Sequence, residues 1–488
     1  MTNLRPVSNH IKENELYIKD KTGIDVTFDV GFRELIILDD KVQLYYVNGL
    51  VDDSTIAELI KVIVSINDHE TNQGKVKEII HNRLVNLQVD TVKAMDEAID
   101  QLLSGLVIIF MDGEEQAFVV DLRHSPGRTP EEPDTERVVR GARDGFTENI
   151  IDSVALMRRR IRDVRLRNEM LKVGERSKTD VCVSYIKDIA DDDLVRLTKE
   201  KITAIEIDGI TMADKTIEEF IVENKWNPFP LVRYTERPDV AAHHLLEGRV
   251  IITVDTSPSV IILPTTYFDH LEHAEEYRQT PAVGTFIRWI RFFAVLSSIF
   301  LLPLWFLFVM EPSLLPEQLS FIGLKEEGNI PTIVQIILAV LGIEFLRMAA
   351  IHTPTPLATA LGLIAAVLVG QIAVDVGLFS PEVILYVSIS TIGSYVTPSH
   401  ELSVANKFIN LFLLILTAVF GVSGFMIGIM ISLFFLVHFT SIKTPYLWPF
   451  LPFNAKALFY VIMRIPVPYS NARPHIIHPK NVYRQPIK

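Results

Sequence analysis

An α/β head of two subdomains followed by a polytopic α-helical membrane bundle is the fold class that this sequence predicts. Three observations carry the prediction. Charge is divided unevenly: 52 of the 60 acidic residues and 35 of the 47 Lys and Arg precede position 286, leaving −17 before it and +4 after it. Long apolar runs begin at about Phe292. Ahead of them, short strand-like runs alternate with amphipathic ones, which argues for a mixed sheet with helices on it.

The organisation expected is a first subdomain at 1–124, a linker and second subdomain at 125–285, a membrane bundle at 286–440 and a basic tail at 441–488. The single cysteine, Cys182, excludes an intrachain disulfide and a Cys-rich zinc site. The N-terminus, MTNLRPVSNHIKENELYIKDKTG, lacks the apolar core of a signal peptide, so the head is expected to be cytosolic. A charge of −17 makes the head unsuited to nucleic acid, which demands a basic footprint.

In the first subdomain, strands are expected at Ile24–Asp29, Leu35–Leu38, Val42–Val47, Leu84–Val89, Leu106–Met111 and Gln116–Leu122, and helices at Asp52–Ile66 and Val92–Leu103. Asp112-Gly113 reads as a tight turn between the last two strands. Ser125–Pro133 reads as an extended linker. In the second subdomain, one long helix is expected over Thr147–Val173, with Arg158, Arg159, Arg160, Arg162, Arg165 and Arg167 distributed around it. Such a helix is either solvated and salt-bridged or a dock for an acidic surface or lipid headgroups. Strands at Asp180–Tyr185, Ala204–Ile207, Val250–Val254 and Val260–Leu263 and helices at Asp192–Ile202 and Asp214–Phe220 follow.

His270 and His273, with Glu272 between them, could face one metal, but no third ligand has a convincing spacing, so surface histidines are the favoured reading. His243 and His244 are adjacent and point different ways. No phosphate-binding glycine loop and no GxSxG nucleophile signature occurs. Neither a cofactor nor an enzymatic activity is expected.

Four runs are long enough for a bilayer core that needs ~20 apolar residues: about Ile290–Met310, Ile333–Ile351, Pro356–Val376 and Ile409–Val437. A fifth, Val383–Val396, is short and reads as re-entrant or partial. Arg288 and Arg291 flank the first span, the following loop is acidic (Glu311, Glu317, Glu326, Glu327), and the tail is basic. The positive-inside rule then places head and tail together in the cytoplasm, which requires an even number of crossings.

Projected at 100° per residue, Asn410, Thr417, Gly421, Gly424, Gly428 and Ser432 form one stripe on the last span. The stripe serves either close helix packing, as Gly424-x-x-x-Gly428 suggests, or the wall of a water-filled path. In the third span Gln371 and Asp375 lie opposite a small-residue face. Glu344 and Arg347, at i,i+3 in the second span, can form an internal pair. With Glu401, these four residues are the candidates for an ion path or gate, because intramembrane charges are costly.

The run SPGRTPEEPDTERVVRGARDGFTENIIDSVALMRRRIR at Ser125–Arg162 closely resembles the signature of the A-subunit type of the GerA family of bacterial spore germination proteins. The resemblance continues through Asn227-Pro228-Phe229-Pro230, Tyr234-Thr235-Glu236-Arg237-Pro238-Asp239 and Val254-Asp255-Thr256-Ser257-Pro258. In the apolar part it includes Glu344-Phe345-Leu346-Arg347, Gly370-Gln371, Gly377-Leu378-Phe379-Ser380-Pro381 and Thr444-Pro445-Tyr446-Leu447-Trp448-Pro449. Thr256 stands where the family commonly has Gly, and Met348 where an acid often follows the Arg. These departures place the chain nearer a sporulation branch than the nutrient-receptor A subunits.

The resemblance implies a multi-pass protein of the spore inner membrane, with two cytosolic subdomains on the core side. It implies a ring-shaped homo-oligomer, a pentamer, that releases ions in germination. The expected partners are other spore membrane germination proteins, membrane lipid and monovalent cations. The competing expectation is a non-conducting scaffold or permease-associated subunit of a germinant receptor complex.

Overall fold

The computed structural model describes residues 5–69, 89–123, 136–222, 226–325, 329–352, 362 and 370–485. In the first subdomain α1 (Ile11–Thr22) precedes β1 (Val30–Ile37) and β2 (Asp40–Val47); α2 (Asp53–Val64), β3 (Val89–Val92), α3 (Met95–Leu103), β4 (Val107–Met111) and β5 (Ala117–Val120) follow. Its sheet has the order β1-β2-β4-β5-β3, and every pairing is antiparallel.

The second subdomain contains α4 (Ile150–Arg160), β6 (Leu166–Val173), β7 (Thr179–Ile186), α5 (Asp192–Thr203), α6 (Ala213–Ile221), β8 (Arg233–Thr235), α7 (Pro238–Glu247), β9 (Val250–Val254) and β10 (Val260–Leu263). Its order, β6-β7-β9-β10-β8, is again antiparallel throughout and repeats that of the first sheet. The head is therefore one α/β unit built twice. Both faces of each sheet are covered, so β4, β5, β9 and β10 are buried along their whole length. The mixed sheet expected from alternating strands and helices is thus replaced by antiparallel pairing, because alternation along the chain does not fix strand direction.

Several expectations for the head are corrected. Ile24–Asp29 is not a strand; β1 starts at Val30 and turns into β2 through Leu38 and Asp39, both with positive φ. Ala204–Ile207 is a loop. α1, β8 and α7 were not anticipated. The long helix over 147–173 is two elements, α4 and β6, because residues 161–165 leave the helix and Leu166–Val173 pairs along its length with β7. Its arginines consequently do not line one solvated rod. Arg158 is 1% exposed and its Nε lies 2.7 Å from Asp29 of the first subdomain, while Arg160 pairs with Asp144 at 2.6 Å. The linker at 125–133 and most of the expected strand at 84–89 fall outside the described residues.

The apolar part contains α8 (Pro281–Met310), α9 (Thr332–His352), α10 (Pro381–Tyr395) and α11 (His400–His438), followed by α12 (Ala455–Ile462). Among the described residues, three helices, α8, α9 and α11, are long and apolar enough to cross a membrane. α10 is shorter, at 15 residues. The expected third span, 356–376, lies outside the described residues except for Gly362 and 370–376.

α11 is not one rod. Gly421 has φ 58° and ψ −137°, a conformation open mainly to glycine, and the chain reverses there. A Cβ on Gly428 would lie 2.7 Å from Leu413, and one on Gly424 would collide with the Leu416 carbonyl. Neither approach is possible in a straight helix, where 15 residues span ~22 Å. The first arm, about 30 Å long at ~1.5 Å per residue, leads away from the head, and the second returns to it.

Contacts at both ends fix the direction of the other helices. Tyr386 near the start of α10 reaches the Ile322 carbonyl at the far end, whereas the Ser394 carbonyl at the end of α10 accepts from Ser403 in the first turn of α11, near the head. Gly421 sits beside Glu311, at the end of α8. Among the described residues, α8 and the first arm of α11 lead away from the head, and α9, α10 and the second arm of α11 lead back, so the tail emerges beside the head.

That tail is a clasp rather than a free extension. Ser441 Oγ donates to the Leu231 carbonyl at 2.6 Å, Lys480 pairs with Asp192 at 2.5 Å and Arg484 with Glu247 at 2.5 Å. Arg288 and Arg291 also turn inward. Both pair with Glu276, which is fully buried, and Arg291 donates to the Leu271 carbonyl at 2.9 Å.

Candidate functional site

A cavity of about 510 Å³ lies where the second subdomain meets the ends of α9, α10 and α11. Its head side carries Glu136, Lys215, Arg233 and His270; its bundle side carries Arg347, His400 and Glu401. α6 supplies Lys215, whose Nζ is 3.6 Å from Glu401 in the first turn of α11. Ser399 caps that turn by accepting from the Leu402 N–H. A carboxylate at a helix N-terminus lies along the helix dipole, and through Lys215 it links the head to the hairpin.

The head wall is built from buried charge. Arg233, on β8, donates to the Asp269 carbonyl at 2.8 Å. Arg249 forms a bidentate pair with Asp269 at 2.7 and 2.9 Å. Burial pushes the Asp269 carboxyl up, but Arg249 outweighs it and holds the group below the usual carboxylate range. His270 and His244 are each about 97% inaccessible, and burial lowers both to about 3, so they are neutral at neutral pH. The expectation of surface histidines therefore fails at both positions. His270 Nε2 has no hydrogen-bond partner and lines the cavity. No group of three metal-ligating side chains occurs among the described residues.

Within the bundle, Glu344 and Arg347 form the anticipated i,i+3 pair at 2.7 Å. The sequence reading missed the third member: Lys407 of α11 pairs with the other oxygen of Glu344. A lysine two residues before the expected span was the available signal. All three side chains keep about a fifth of their surface open. Gln371 and Asp375 are exposed at the far end, away from this trio.

The small and polar residues of α11 are split by the reversal at Gly421, so the single stripe expected on a straight helix does not exist. Asn410 donates to the Ser298 and Ile299 carbonyls of α8 at 2.8 and 2.9 Å. Thr417 and Ser432 donate to carbonyls one turn back, those of Leu413 and Gly428. Gly424 and Gly428 let the second arm rest on the first.

Residues 17–476 match the family described as Bacillus/Clostridium GerA spore germination protein. The chain belongs to the GerA family. It is 60% identical over 474 residues to stage V sporulation protein AF of Bacillus subtilis (strain 168), covering 97% of this chain and 96% of that one. Spore germination protein KA of the same organism is 29% identical, over 95% of this chain and 86% of the relative. The crystal structure of the N-terminal domain of the A subunit of the Bacillus megaterium spore germinant receptor GerK3 aligns with 54% of this chain and 98% of its own, at 28% identity and a TM-score of 0.43.

This GerA chain thus has an A-subunit pattern, and its stronger identity to a sporulation protein agrees with the branch that its departures indicated. One departure has a structural correlate. Thr256 has φ 68°, so the glycine common there would relieve a left-handed backbone.

Proposed function

We propose that this GerA-family protein is a subunit of an oligomeric ion channel of the spore inner membrane, with head and tail on the core side. In this reading it releases monovalent cations during germination, and its head couples other germination proteins to the bundle. The observation that carries the proposal is the Arg347–Glu344–Lys407 trio. Charges inside apolar helices are expensive and mark ion paths by default, and here one of them opens onto the charged junction cavity. A second copy packed against the partly open trio would complete a lined path. The Lys215–Glu401 contact gives the head a direct hold on α11, which suits a gate. We propose no enzymatic activity.

The test is potassium efflux from liposomes containing the purified full chain, alone and with co-expressed sporulation membrane proteins. Glu344→Gln is expected to change the efflux rate or its K⁺/Cl⁻ preference at least tenfold, and Asp375→Asn to change it less. Efflux indifferent to Glu344, Asp375 and Glu401 substitutions would remove these residues from the path. Partner capture with no efflux under any condition would favour the scaffold reading instead.

A further inference from the structure

A second cavity, of about 200 Å³, is enclosed by the second subdomain, the start of α8 and the tail. Six basic and three acidic side chains line it. Three of the basic groups have carboxylate partners: Arg249 on Asp269, Arg288 on Glu276 and Arg484 on Glu247. The other three have none among the described residues. Arg464 donates to the Tyr277 carbonyl at 3.0 Å, and Arg473 is held by the carbonyls of Leu246, Asn481 and Tyr483. Lys456, on α12, has no ion-pair partner among the described residues. Among the described residues, the Nε–H groups of Arg464 and Arg484 are buried without an acceptor, and that of Arg249 has only Glu247 Oε2 at 3.5 Å. The cavity is short of both negative charge and acceptors, an arrangement that favours an anion.

Its surroundings indicate which anion. Trp289 Nε1 donates to the Ile462 carbonyl at 3.1 Å, joining α12 to the first turns of α8. Around that joint Phe453, Phe459, Ile462 and Trp289 are exposed, at 39–68%. Aromatic residues beside basic ones at the start of a membrane helix mark the headgroup level. A short helix with an exposed apolar edge suits the same depth. The volume accepts a phosphate group but not a whole lipid, and the apolar edge continues outward from it.

We infer that this cavity binds the phosphate of an anionic phospholipid, with Lys456 and Arg464 as its charge partners and the acyl chains lying along the Phe453–Phe459–Ile462 edge. The site would tie the tail clasp to the bilayer surface, independently of any ion path. Native mass spectrometry of the full chain in detergent, titrated separately with phosphatidylglycerol, phosphatidylcholine and inorganic phosphate, tests it.

Phosphatidylglycerol is expected to bind more tightly than phosphatidylcholine. Lys456→Gln, which breaks no ion pair or hydrogen bond among the described residues, should weaken that binding about fivefold, the effect of one basic residue at an anionic surface. Lys456→Arg should restore it, and Lys456→Gln with Arg464→Gln should weaken it by about 25-fold. Equal affinity for the two lipids, or unchanged binding in Lys456→Gln, overturns the inference. Displacement of phosphatidylglycerol by equimolar inorganic phosphate also overturns it, by assigning the cavity to a free phosphate.

Discussion

Arg158 and Asp29 join the two subdomains through a pair that is 1% exposed on each side. Asn168 donates to the same carboxylate at 3.0 Å, and Arg158 also donates to the Asp163 and Leu166 carbonyls. Burial works against the charge on Asp29, yet the guanidinium holds its carboxyl below the usual range. Removing one partner strands the other, so Arg158→Met should destabilise the head by about 3–5 kcal/mol. Asp29→Asn combined with Arg158→Met should recover part of that loss, because no unpaired charge remains. Thermal melts of the four proteins in detergent give the coupling energy; a double variant no better than the single one would contradict the argument. The arginine run was legible in the sequence, but its partner lies 129 residues away, so only the fold reveals that Arg158 is internal.

At the scale of the element, the reversal in α11 decides which side of the bundle the tail occupies. A side chain at Gly421 meets both a disfavoured backbone, costing about 1–3 kcal/mol, and Glu311 Oε1 at 2.7 Å. Gly428→Leu would drive the second arm away from Leu413. Both substitutions should open the hairpin. A cysteine at Ser470 reports the outcome, since Cys182 is buried and silent to polar reagents. In the parent the Ser470→Cys thiol should label from the same side as the head, and adding Gly421→Val should lower or reverse that accessibility. Labelling unchanged by Gly421→Val would show that the turn does not depend on this glycine. The sequence displayed all of these small residues at helical spacing. Helical projection assumes an unbroken helix, and a single glycine torsion invalidates it.

For the whole molecule, pH is the simplest lever. His244 and His270 stay neutral inside the head down to about pH 3, while in the unfolded chain they charge near their ordinary value of 6.5. Between these values the unfolded state binds more protons, so stability rises with pH and falls on acidification, by about 1.4 kcal/mol per pH unit for each histidine. His244 faces Arg233 and Glu247, and His270 has Arg233, Arg249 and Asp269 around it; burial and the guanidinium groups outweigh the carboxylate in each case. Below pH 4 the carboxylates of Asp29, Asp239 and Asp269, held low in the fold, add to the loss. The melting temperature of the full chain should therefore drop between pH 7 and pH 5. His270→Gln should flatten that drop; an equal drop in the variant would exclude His270 as its source.

By itself the sequence determined the division into an acidic α/β head and an apolar helical part, the family, and the Glu344–Arg347 pair. Each of these depends on local composition, on motif or on spacing within one helix. Tertiary structure alone decided the duplicated antiparallel sheets, the conversion of half an expected helix into β6, the inward turn of Arg158, Arg288 and Arg291, and the clasp made by the tail. It also brought Lys407 to Glu344 across 63 residues and folded α11 back at Gly421. The physical reason is common to all of them. Burial, partner choice and chain reversal are set by contacts between segments far apart in the chain, and periodicity within a segment carries no record of those contacts.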